Sequence, residues 1–157
     1  MNNSDDITIT PATLDHIAEV APLFDLYRVF YGQDSNLSGA VDFLTRRLVN
    51  FESAIYIARA GDQPAGFTQL YPSFSSVSMM HTWILNDLFV HPDFRRRGIG
   101  RQLMHIATTH ASNDQAKYIM LKTGVDNTPA QALYESEHWD RDDVFYTYVR
   151  KLHDPSA

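Results

Sequence analysis

The apolar positions of this chain change period several times, and each change marks an element. Ile7 and Ile9 alternate with Thr8 and Thr10, which predicts a short first strand. From Thr13 and Asp15 onward, Leu14, Ile17, Ala18, Ala21, Phe24 and Leu26 recur at helical spacing. Pro22 lacks an amide hydrogen, so a kink or break is expected there. Gly32 to Gly39 reads as a polar loop, and Val41, Phe43, Leu44, Leu48 and Val49 mark a second helix. Ala54 to Ala58 predicts a strand, Gly61-Asp62-Gln63-Pro64 a turn, and Ala65 to Tyr71 the returning strand. The Ser-rich stretch Pro72 to Met80 has no period and reads as a loop. Thr82 to Val90 is the strongest strand in the pattern. Ile99, Leu103, Ile106, Ala107 and Ala111 then give a helix with one apolar stripe. Tyr118 to Thr123 predicts a buried strand, Pro129 to Ser136 a short helix, and Val144 to Val149 a last strand. The order β-α-α-β-β-β-α-β-α-β predicts a mixed α/β fold (α+β), its sheet partly antiparallel and partly parallel.

The 157 residues suit one domain, since domains run to roughly 150 residues, with a core over about residues 7–152. No cysteine is present, which excludes disulfide scaffolds, thiolate zinc sites and covalent cysteine mechanisms. His105 and His110 lie five apart, not three or four, so no helical ligand pair forms and no metal is expected. No apolar run approaches the ~18 residues that span a bilayer, and no membrane partner is expected. Met1-Asn2-Asn3-Ser4-Asp5-Asp6 lacks the basic and apolar parts of a signal peptide, so the expected location is cytoplasmic. The formal net charge of −6 argues against nucleic acid as a partner and suits a cationic small molecule. One stretch reverses that sign. Four of the thirteen Lys and Arg stand in Arg95-Arg96-Arg97-Gly98-Ile99-Gly100-Arg101.

That stretch follows a predicted strand and opens a predicted helix. A helix N-terminus exposes unpaired N–H groups with partial positive charge, which suits phosphate. Gly98 and Gly100 let the backbone approach a ligand closely, and the arginines add charge-assisted contacts. Leu103 stands where a dinucleotide fold needs its third glycine, and no G-x-x-x-x-G-K-[ST] occurs. A diphosphate held by a short R-x-x-G-x-G loop remains.

Arg95-x-x-Gly98-x-Gly100, preceded by Leu88-x-Val90-x-Pro92, resembles the acetyl-CoA pyrophosphate loop of the GNAT superfamily of N-acetyltransferases. A second block, Asn127-x-x-Ala130-x-x-Leu133-Tyr134-Glu135, is similar to that superfamily's late helix. The resemblance implies that Leu88, Phe89, Val90, Arg95, Arg96, Arg97, Gly98, Ile99, Gly100, Arg101, Asn127, Ala130, Leu133 and Tyr134 bind acetyl-CoA. It implies that the pantetheine arm lies where the Leu88–Val90 strand parts from the Tyr118–Thr123 strand. It makes Tyr134 the catalytic proton donor to the departing sulfur. By resemblance alone, a homodimer is expected. One position departs: His138 stands where the family commonly has Gly before an aromatic, here Trp139.

Leu85-Asn86-Asp87-Leu88-Phe89-Val90 is similar to the matching strand of polyamine and diamine acetyltransferases, where a glutamate precedes the aspartate. Asn86 cannot accept a proton at neutral pH. Asp87 is therefore a candidate for amine recognition, for a catalytic base acting through water, or for a structural bond to a loop backbone. Strand alternation places Asn86 and Asp87 on opposite faces, so only one is expected to reach the site directly. Tyr27, Arg28, Phe30, Tyr31 and Phe74 are candidates for the acceptor pocket, because aromatic rings attract alkylammonium ions. Without cysteine, direct attack by the amine in a ternary complex is the expected mechanism. The acceptor classes left open are polyamines, diamines, thialysine-like or other amino acids, and aminoglycosides. A peptide or protein lysine acetyltransferase and a non-catalytic acyl-CoA sensor are the alternatives.

Overall fold

A long hairpin carries the sheet. In the computed structural model, which describes residues 6–153, strand β3 (Gln63–Ser75) pairs antiparallel with β4 (Met80–Val90) from Gly66 to Ser75. The expected loop over Pro72 to Met80 is thus mostly strand. Pro72, Ser73, Phe74 and Ser75 pair with Trp83, Thr82, His81 and Met80, and only residues 76–79 turn. Serine carries little strand propensity, but a neighbour that satisfies its N–H and C=O groups overrides propensity. The amino-terminal residues 1–5, read above for targeting signals, lie outside the described residues.

The chain divides into two compact units, residues 1–122 and 123–157. In the first, the sheet order is β1-β2-β3-β4-β5, with β1 (Ile7–Pro11), β2 (Ala54–Ala60) and β5 (Ile119–Met120) completing it. The first four strands are antiparallel and β5 joins β4 in parallel, as the mixed reading predicts. Helices α1 (Ile17–Phe30) and α2 (Leu37–Val49) cover one face through Val20, Phe24 and Leu44, packed on Ile55, Ile57, Phe67 and Phe89. Helix α3 (Ile99–Asn113) covers the other through Ile99 and Leu103, packed with Ala58, Leu88 and Val90. Leu44 and Leu103 are fully buried and contribute about 1.5–3 kcal/mol each. Gly66 lets β3 and β4 close, because a Cβ there would come within 2.7 Å of the Phe89 carbonyl oxygen.

Three expectations need correction. Helix α1 runs through Pro22 without a break. The proline and Ala18, whose carbonyl loses its bond, are both exposed, so water can serve that carbonyl. The strand expected over Tyr118 to Thr123 shrinks to two residues, Ile119 and Met120, paired with Trp83 and Ile84. A β-bulge explains the early end. Leu70 pairs with Leu85 and Gln69 with Asp87, so Asn86 is the extra residue, and a bulge bends its strand just past the last β4–β5 pair.

The last strand, expected over Val144 to Val149, does not form among the described residues. In the second unit the Asp142 carboxylate accepts from the amides of Val144 (2.9 Å) and Phe145 (3.3 Å), a local turn that competes with a ladder. Helix α4 (Thr128–Ser136) begins at Asn127, whose side chain accepts from the Ala130 amide. It closes with the amides of His138 and Trp139 donating to the carbonyls of Glu135 (3.1 Å) and Tyr134 (3.0 Å).

Candidate active site

The strand–turn–helix segment is built by its own local bonds. The His91 side chain accepts from the Asp93 amide at 3.1 Å, opening a single 3-10 turn over Pro92–Phe94. Two left-handed residues follow, Arg96 (φ 64°) and Gly98 (φ 75°), and α3 starts at Ile99 with no side chain capping it. The amides of its first turn therefore face outward with the helix dipole behind them. A Cβ on Gly98 would meet nothing within 4 Å, and one on Gly100 only Val90 Cγ2 at 3.9 Å. Packing does not require Gly100. Its missing Cβ leaves open the space over the helix start, which fits a pyrophosphate group.

Strand β4 supplies a second feature. The His91 amide donates to the Ala65 carbonyl across the hairpin (2.8 Å), so by alternation the peptide groups of Val90 face the opposite edge. That edge runs from Leu85 to Val90 beyond the last β5 pair, and it can pair with the amides of a pantetheine arm. Leu88 and Val90 pack on the α3 side and Phe89 on the α1 side. Arg95 does not project freely into the loop. Its Nε donates to the Val90 carbonyl at 3.0 Å, and its guanidinium lies 5.9 Å from the Phe30 ring and 5.7 Å from the Phe89 ring. Arg97 lies 5.3 Å over the Phe94 ring, and Arg96 and Arg101 are exposed.

Deeper in the sheet, Asp87 is a buried carboxylate, 2% exposed. Gln69 Nε2 donates to its Oδ2 at 2.5 Å and Asn86 Nδ2 to its Oδ1 at 2.9 Å. The Tyr27 hydroxyl donates to the Asn86 carbonyl at 3.5 Å and lies close enough to the Asp87 carboxylate to favour its charged form. Burial pushes the Asp87 carboxyl above the usual carboxylate range, while the bonds from Gln69 and Asn86 and the nearby Tyr27 hydroxyl oppose the rise. The partners are neutral donors, so no cation of this cluster balances the carboxylate. Tyr27 and Tyr71 are held well above the ordinary tyrosine value, by burial first and then by the Asp87 charge. Both remain hydroxyl donors. Gln69 Oε1 is buried without a hydrogen-bond partner among the described residues. An uncompensated carboxylate beside an orphaned acceptor is what an ammonium group would satisfy.

Regular strand alternation would place Asn86 and Asp87 on opposite faces. The bulge at Asn86 breaks the alternation and brings its exposed side chain onto the Asp87 carboxylate. Gln69 and Tyr71 escaped the sequence reading, because a glutamine and a tyrosine in a predicted strand carry no signal of which partner lies opposite. The cross-strand pair Gln69–Asp87 follows only once the register is known.

Tyr31 joins the cluster from outside, its ring 4.9 Å from Tyr27 in an edge-on contact. Arg28 instead braces the loop after α1, with Nη1 donating to the Asp34 carbonyl at 3.2 Å and lying 3.7 Å from Asp25. Phe74 lies near the tip of the hairpin, 70% exposed and packed on His81, away from the Tyr27–Asp87 cluster. Among the described residues no group of three or more His, Asp or Glu side chains is placed to hold a metal ion. No helix among them is long and apolar enough to cross a membrane.

In the second unit, Ala130, Leu133 and Tyr134 lie on α4, all partly buried, and the Tyr134 ring is 6.4 Å from Trp139. His138 follows with φ 64°. This left-handed geometry is the reason a glycine suits the position, and a side chain there costs about 1–2 kcal/mol. The backbone keeps the turn that a glycine would make, so the departure leaves the helix ending intact.

Residues 20–138 match the model of the acetyltransferase (GNAT) family. The uncharacterized N-acetyltransferase YhfO of Bacillus subtilis is 46% identical over 142 residues, covering 90% of this chain and 95% of that protein. A thialysine N-epsilon-acetyltransferase of Caenorhabditis elegans is 28% identical over 108 residues, covering 66% of this chain and 62% of that protein. The crystal structure of a probable acetyltransferase superposes with a TM-score of 0.89 at 41% identity, over 94% of this chain and 99% of that one.

Proposed function

The chain belongs to the acetyltransferase (GNAT) family and is an acetyl-transferring enzyme, and from that premise we propose that it N-acetylates a small primary amine that Asp87 recognises. The observation that carries the amine is the buried Asp87 carboxylate, held by neutral donors beside the unpaired Gln69 oxygen. Polyamines, diamines, amino acids and aminoglycosides all present such an ammonium, and the thialysine acetyltransferase among the relatives acts on an amino acid side chain.

The residues divide the work. Acetyl-CoA supplies the acetyl group as a thioester. The outward amides of the α3 start, with Arg96, Arg97 and Arg101, would hold its diphosphate. Main-chain groups of Leu88 and Val90 on the open edge would hold its pantetheine arm, while by the same alternation those of Phe89 face β3. The motif that Asn127, Ala130 and Leu133 share with the family assigns acetyl-CoA binding to them as well. Asp87 draws the ammonium in, and its raised carboxyl pKa makes it a better acceptor for the proton the amine must lose before attack. Tyr27 and Gln69 fix the carboxylate's direction. The same motif makes Tyr134 the residue that would donate a proton to the departing sulfur. With no cysteine in the chain, the amine attacks directly and no acetyl-cysteine forms.

Thermal unfolding with CoA, ATP and NAD tests the cofactor. Saturation to 100 times the Kd should stabilise the protein by about 2.7 kcal/mol with CoA and little with the other two. Equal stabilisation by all three overturns the assignment. Free-thiol release with spermidine, 1,5-diaminopentane, lysine, kanamycin and a histone-tail peptide then sorts the acceptors. Turnover of the peptide alone makes this a protein lysine acetyltransferase.

A further inference from the structure

We propose that Arg95 is a positioning residue that keeps the acceptor wall occupied until the cofactor draws it away. This rests on the cofactor reading above and adds an order to it. Arg95 leaves the phosphate loop and reaches back across the end of α1. Its Nε takes the Val90 carbonyl on the unpaired edge of β4, and its charged face lies over Phe30, the last residue of α1. Phe30 is 66% exposed, so the guanidinium covers a ring that the core does not.

From Phe30 a line of contacts leads to the buried carboxylate. Phe30 meets Tyr31 edge-on at 5.3 Å and Tyr31 meets Tyr27 at 4.9 Å; the Tyr27 hydroxyl donates to the Asn86 carbonyl, and the Asn86 side chain donates to Asp87. A cation already stands on the outermost of these rings. An incoming ammonium meets that occupied ring and like charge first.

A diphosphate at the start of α3 changes the balance. A guanidinium binds phosphate through two parallel bonds between opposite charges, against a single bond to a neutral carbonyl. Arg95 then turns from Val90 to the loop, which frees both the Val90 carbonyl and the Phe30 ring. Cofactor binding and the packing of the α1 end are thereby linked, and the linkage is reciprocal. Lysine keeps the charge but has neither the Nε on Val90 nor a planar face for Phe30.

Hydrogen exchange of the segment 28–33 with and without CoA tests this, using wild type, Arg95→Lys and Phe30→Leu. In wild type CoA should speed exchange of this segment about threefold, the size of one lost cation–π contact. In both variants the segment should exchange at the faster rate already and not respond to CoA, while calorimetry still shows CoA binding. Phe30→Leu leaves the loop untouched, so it remains decisive if Arg95→Lys weakens CoA binding. A CoA response that persists in Phe30→Leu, or no response in a wild type that binds CoA, overturns the role of Arg95. A wild type that does not bind CoA overturns the cofactor reading itself.

Discussion

The arginine loop and the Asp87 cluster do opposite things with charge. The loop gathers positive charge at the surface, from residues adjacent in sequence, and leaves the α3 amides open to a ligand. The cluster buries one negative charge, from residues of α1, β3 and β4, and surrounds it with neutral donors. An exposed cationic loop is cheap to maintain, because water solvates it when no ligand is bound. A buried carboxylate is not, since each bond to it only partly replaces its hydration. The loop can therefore serve a ligand of fixed chemistry without disturbing the fold, whereas the cluster trades stability for recognition.

Replacing Asp87 tests that trade most severely. Asp87→Asn should lower kcat/KM by about 100-fold or more, in the range lost with a general base or a buried charge contact. The same change should stabilise the protein at neutral pH. Asp87 has its folded carboxyl pKa above the unfolded value, so the wild type gains relative stability as the group is protonated. Its contribution is fully present below the unfolded value of about 3.9 and is lost as pH rises through the raised folded value. Urea unfolding of both proteins should thus show Asp87→Asn ahead at pH 7 and its advantage shrinking toward pH 4. Equal activity, or a variant less stable at pH 7 than at pH 4 relative to wild type, contradicts the trade.

The loop answers differently to a substitution. Gly100→Ala adds a Cβ that meets only Val90 Cγ2 at 3.9 Å, and alanine favours a helix by up to about 1 kcal/mol over glycine. The free protein should be as stable or more so. CoA should bind about tenfold more weakly by calorimetry, because the Cβ fills the space over the helix start. A drop in stability with unchanged CoA affinity would reverse the comparison and make Gly100 a packing residue.

The same contrast explains what the sequence could reveal. Arg95, Gly98 and Gly100 are neighbours in the chain, so motif and local geometry coincide and both glycines were legible. The periodic helices were legible for the same reason, since spacing alone exposes a buried stripe. The Asp87 partners were not. Gln69 reaches Asp87 across a strand pair whose register depends on the bulge at Asn86, and Tyr27 reaches it from a helix on one face of the sheet. Val144 to Val149 has strand composition, yet Asp142 caps its first amides, a competition that propensity does not weigh. The direction of the Arg95 side chain was equally hidden, because a motif fixes where an arginine starts and not which carbonyl it takes.

Tyr27→Phe makes the smallest change and separates the two regions most sharply. The ring keeps its packing against Phe67 and Phe89, at 6.0 and 6.3 Å, so the core loses little. What goes is one hydroxyl, which donates to the Asn86 carbonyl at 3.5 Å beside an ionised carboxylate. That hydroxyl favours the charged form, so its loss lets burial raise the Asp87 carboxyl further. The acid limb of kcat/KM against pH should move upward. Above that limb the variant should approach wild-type turnover, and its CoA affinity should not change, because the hydroxyl touches nothing in the arginine loop. An acid limb that stays in place would mean that Asp87 does not carry the ionisation that governs the amine. A uniform loss of activity at every pH would instead give the hydroxyl a direct hold on the acceptor, leaving the carboxylate set by Gln69 and Asn86 alone.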